Sequence, residues 1–111
     1  MQDISRQMKR LVRKFAGIAH DRELSAALLE LRSHFDRWQR GEIMAADLNE
    51  LVHQFHQGRS RHIWAKYATN HSEPALASAV ATGLLKKEEL PEELLTHLAR
   101  AIEFYEADQS A

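Results

Sequence analysis

LSAALLELRSHFDRWQRGEIMAADLNELVHQFHQG, residues 24–58, carries two apolar stripes separated by a glycine. Leu24, Leu28, Leu31, Phe35 and Trp38 recur at spacings of four, three, four and three, the seam of an α-helix that packs against a neighbour. Gly41 interrupts, and Met44, Leu48, Leu51, Val52 and Phe55 form a second seam closed by Gly58. Neither stripe can be buried alone, so the short glycine turn predicts an antiparallel helical hairpin. The rest of the chain is expected to pack around it.

Upstream, Ile4, Met8, Leu11, Phe15 and Ile18 make one stripe of a first helix over about 3–20, with Arg6, Lys9, Arg10, Arg13 and Lys14 on its other faces. The phase is then lost, because the next seam positions would be Arg22 and Ser25. Asp21 is a natural N-cap for a new helix beginning at Arg22, although neither proline nor a glycine pair forces a break. The second helix is expected over about 22–39 and the third over about 44–57, with Gly58 as its left-handed cap.

Downstream, Ser60 can cap a short helix whose Ile63, Trp64, Tyr67 and Ala68 share a face. Asn70-His71-Ser72 reads as a turn, and Ser72-Glu73-Pro74 opens a fifth helix with proline in its tolerated first turn. There Ala75, Ala79 and Gly83 repeat every four residues, and small residues at that spacing let two helix backbones approach closely. Gly83 also suits a helix end. Pro91 opens the last helix, with Glu92 and Glu93 at its positive end and Leu94, Leu98, Ala101, Ile102 and Tyr105 as its stripe. The fold class is therefore all-α: a single domain over 1–111, built as a bundle of five or six helices around the hairpin. Its parts are a basic amphipathic helix over 1–20, the hairpin over 22–58, and three further helices over 60–107.

Composition agrees with that class. The 111 residues are 44% hydrophobic and 28% charged, with four Gly, two Pro and no Cys, which excludes disulfides and thiolate chemistry. No apolar run approaches the roughly 20 residues that cross a bilayer, and cations interrupt the N-terminal stripe, so a cytoplasmic protein is expected. The net charge of −1 hides a split: residues 1–66 hold 12 Lys and Arg against 8 Asp and Glu, residues 67–111 hold 3 against 8.

Motifs that would carry chemistry are incomplete. The hairpin turn resembles a calcium-binding EF-hand in spacing, with Asp36, Gly41, Ile43 and Asp47 at the first, sixth, eighth and twelfth loop positions. Trp38 and Arg40 stand at the third and fifth, and neither can ligate calcium. The run His53 to Gly58 resembles histidine phosphotransfer domains, but it is one residue out of register and lacks the lysine after the histidine. His20-Asp21 matches the dipeptide of metal phosphohydrolases without their remaining ligands. Glu50, His53 and His56 line one row of the third helix and His62 lies across the Gly58 turn, a candidate site for a transition metal. A second Glu-x-x-His is absent, and solvated histidines are the preferred reading. No cofactor or catalytic residue is expected.

The functional expectation is a non-catalytic protein-interaction or regulatory module that can self-associate as a homodimer. Its candidate interfaces are Ala75, Ala79 and Gly83, and the aromatic group Trp38, Trp64, Tyr67, Phe104 and Tyr105, most of which should be core. The alternatives are a metal-binding bundle and a nucleic-acid-binding regulator that uses Arg6, Lys9, Arg10, Arg13 and Lys14 against phosphates.

Overall fold

A 34-residue helix, α1 (Arg6–Gln39), runs through the protein as its spine. The computed structural model describes residues 5–68 and 72–110, and among these there is no strand. Ser5 caps α1, its hydroxyl accepting the Met8 N–H at 3.0 Å. The expected break at Asp21 does not occur. Asp21 lies exposed within the helix, and Arg22, whose place in the seam pointed to a new helix, reaches across to the far end of the chain instead. Loss of an apolar stripe does not end a helix whose backbone carries no breaker; it only changes which side meets a neighbour.

That change of side organises the molecule. Leu24 lies six residues past Ile18 and is turned about 120° around the axis from it, so the second stripe faces a different side from the first. The first half of α1 buries Val12, Phe15, Ala16 and Ala19 against α4 (Glu73–Ala81) and α5 (Glu92–Ser110). Leu76, Ala77, Ala79, Val80, Leu85, Leu90, Leu94, Leu98 and Ile102 complete this core. The expected centre of the bundle, the hairpin, is therefore not where the core sits.

The hairpin itself forms. Gly41 turns the chain at φ +77°, where a side chain would be strained, and the Glu42 N–H donates to the Arg37 carbonyl at 2.9 Å. α2 (Ala45–Phe55) then returns antiparallel to α1, with the Met44 N–H held by Asp47 Oδ2 at 2.9 Å. Gly58 does not cap it. The chain widens into a π-helical turn, His56–Ser60, and continues directly into α3 (Arg61–Tyr67). An uninterrupted α-helix would carry Ile63 about 80° past Phe55, and the wider turn returns it to α1, where it is fully buried. Ser60 is accordingly helical rather than a cap.

Four rods result: α1, the joined α2–α3, α4 and α5. The bundle of five or six separate helices is thus reduced by two continuous runs where breaks were expected. Pro74 sits in the first turn of α4 and Pro91 immediately precedes α5, as their sequence contexts imply. Gly83, at φ +83°, ends α4, and a short 3-10 turn over Lys87–Glu89 leads into α5. The turn expected at Asn70-His71 lies outside the described residues.

The arm that α1 and α2 form beyond the core makes the molecule long, 57 × 27 × 23 Å. Its radius of gyration is 17.4 Å, against about 13 Å for a compact chain of this length.

Candidate interaction surface

The seam between α1 and α2–α3 is closed by Ala27, Leu48 and Ile63, all buried. It has two flanks of opposite chemistry. On one, Lys66 Nζ meets Glu23 Oε2 at 2.8 Å, the Tyr67 hydroxyl donates to Glu23 Oε1 at 2.8 Å, and Arg59 pairs with Glu30. The Tyr67 ring also stacks on His20, with centroids 4.9 Å apart. α4 closes over this flank and leaves a cleft of about 420 Å³ between Glu23, Arg59, Lys66 and Tyr67 on one side and Ser78 and Thr82 on the other.

The cleft is electrostatically satisfied. Burial pushes the Glu23 carboxyl up, but the hydrogen bonds from Lys66 and Tyr67 and the charges of Lys66 and Arg59 outweigh it, and its pKa is lowered. Burial, then the bond to Glu23, raises the Tyr67 hydroxyl above its ordinary value. Each charged group lining it has an opposite partner, an arrangement that joins α3 to α1 rather than activating a nucleophile or base.

The other flank is open and, along α1, apolar. Leu24, Leu28, Leu31, Phe35 and Trp38 fall within about 80° of arc on α1. In an antiparallel pair, one residue forward on each helix turns to the same side of the seam. Leu24 follows Glu23 and Trp64 follows Ile63, so both leave the seam on the side away from the ion pairs and from α4. There Leu28 is 47% exposed, Phe35 41%, Trp38 42% and Trp64 67%. Leu29, 63% exposed, is turned about 100° further round and lies off this face. Leu28, Phe35 and Trp38 of α1, with Trp64 of α3, are thus left without a covering layer among the described residues, while the joined α2–α3 turns the polar Asn49 and His56 to the same flank.

No known protein family, curated protein or solved structure matches the chain.

The other candidates fall into place around these two flanks. Ala75 and Ala79 are 7% and 4% exposed, covered by the chain's own helices, so the close approach they permit is intramolecular; Gly83 is exposed at the helix end. Glu50, His53, His56 and His62 are all exposed, and among the described residues no three His, Asp or Glu side chains gather as metal ligands. Arg6, Lys9, Arg10, Arg13 and Lys14 are exposed along the first half of α1, on the side that continues into the open apolar face. Of the aromatic group, Tyr67 and Tyr105 are half-buried, but Trp38, Trp64 and Phe104 are exposed, against the expectation that most are core. The core forms at the other end of α1 and leaves Trp38 without a layer to pack on, whereas Phe104 lies on the outer side of α5, edge-on to Tyr105. Among the described residues no helix is long and apolar enough to cross a membrane.

The Glu23–Lys66–Tyr67 cluster escaped sequence reasoning. Glu23 stands more than 40 positions from Lys66 and Tyr67, and no local spacing links it to them.

Proposed function

We propose that this protein is a non-catalytic, cytoplasmic protein-interaction or regulatory module that docks through the open side of its helical arm. The observation that carries this reading is the apolar stripe of Leu28, Phe35 and Trp38 on a projecting two-helix hairpin, with Trp64 of α3 at its base. Scattered apolar side chains are ordinary on a protein surface, but a regular stripe of them along one side of a helix marks a place where another layer belongs. The paired charges of the cleft supply no reactive group that would favour an enzyme instead. A photo-reactive amino acid placed at Phe35, irradiated in the protein's native cells, tests the reading. Crosslinking to a protein, whether a different one or a second copy, supports it; no crosslink at Phe35 or at Leu28 overturns it.

A second reading rests on the exposed basic row of Arg6, Lys9, Arg10, Arg13 and Lys14. Among the described residues none of the five is held in an ion pair, so all remain available to a phosphate backbone.

A further inference from the structure

We infer that the layer completing the arm is a second copy of the same chain, laid antiparallel so that two hairpins form a four-helix bundle. This deepens the interaction reading and rests on it. The open side is half of such a bundle already: two antiparallel rods, with the bare stripe of α1 and Trp64 of the second rod on one flank. Another copy supplies a complementary layer of matching length and the same chemistry, as an isologous two-fold interface requires.

The area is sufficient. On ordinary side-chain areas the exposed parts of Leu28, Phe35, Trp38 and Trp64, with the half-buried Leu24 and Leu31 beside them, amount to roughly 600 Å² per copy. Two copies together reach the ~1,200 Å² at which specific interfaces begin.

Charge sets the orientation. The arm over residues 24–58 holds three Arg against five Asp and Glu, so two arms meet without a strong field of one sign. The same side of α1 becomes basic toward its start, at Arg6, Lys9, Arg10, Arg13 and Lys14. Parallel pairing would set both sets of five cations against each other. Antiparallel pairing sends them to opposite ends of the dimer.

Sedimentation of the full chain tests this. The wild type should show about twice the 12.8 kDa mass of one chain. Leu28→Glu combined with Phe35→Glu should halve that mass while the helical circular dichroism per residue is retained. Leu29→Glu, more exposed but off the face, should leave the dimer intact. Should the double variant not fold, Trp64→Glu, on the other helix of the face, must give the same twofold loss of mass. A wild type of single-chain mass at its highest soluble concentration overturns the inference, as does a dimer that survives both Leu28→Glu/Phe35→Glu and Trp64→Glu. The crosslink at Phe35 separates the two levels. A monomer whose Phe35 captures a different protein removes the second copy but keeps the interaction reading, whereas a monomer that captures nothing removes both.

Discussion

Arg22 and Glu89 are joined by two parallel hydrogen bonds, Nη2 to Oε1 at 2.6 Å and Nη1 to Oε2 at 2.9 Å, across 67 positions of sequence. The same guanidinium donates to the Leu84 carbonyl at 3.0 Å, and Glu89 Oε2 also accepts the Lys86 N–H at 2.9 Å. One fork thus ties the middle of the spine to the link between α4 and α5. The bonds from Arg22 and Lys86 hold the Glu89 carboxyl down at about 2, from an ordinary 4.5.

Glu89 therefore makes stability depend on acid. Its contribution is present in full above the ordinary 4.5 and is lost as the pH falls from there through about 2. Denaturant unfolding across that window should show the wild type losing stability with a steeper slope than Glu89→Gln, which has no carboxylate to protonate. Equal slopes would mean the fork is open in solution.

The two ends of the spine should differ in their tolerance of truncation. Leu94 is fully buried in the core, and Leu94→Ala should cost about 2–5 kcal/mol of unfolding free energy. Leu31 is only half-buried within the chain, so Leu31→Ala should cost less in the monomer. Urea titrations at low protein concentration compare the two directly.

Two glycines should respond with opposite signs. Gly83 sits at φ +83°, where an L side chain is strained, so Gly83→Ala should destabilise by about 1–2 kcal/mol. Gly17 lies inside α1 with open space where its side chain would be, and Gly17→Ala should stabilise by about 1 kcal/mol. Thermal unfolding of the pair reads both shifts.

If the basic row of α1 contacts nucleic acid, binding must weaken steeply with salt, and each lost phosphate contact lowers the slope of log K against log salt by about one. Lys9→Glu with Arg13→Glu should abolish binding and leave the helical spectrum unchanged, since both side chains are exposed. A fluorescence titration with duplex DNA and with RNA at low salt, showing no binding by the wild type, would eliminate this second reading.

Local chemistry made much of the fold legible. The spacing of Leu24 to Trp38 and of Leu48 to Phe55, with Gly41 between, determined the hairpin. Pro74, Gly83 and Pro91 placed the bounds of the last two helices, because proline and a positive φ act on the backbone where they stand. Spacing could not reveal which stripe would be covered. Periodicity tells which residues share a side of a helix, whereas burial depends on where remote helices come to lie. Here α4 and α5 take the side of α1 that bears Val12 and Phe15, and α4 also closes on the flank where Glu23 and Arg59 stand. Leu28, Phe35 and Trp38, which form an equally regular stripe, are left open because the phase shift between Ile18 and Leu24 turns them away from that core. α1 continues through Asp21 because no breaker stands there, but the partner that Arg22 finds in Glu89 was decided in three dimensions, as was the π-helical turn that carries the second rod through Gly58 and returns Ile63 to the seam.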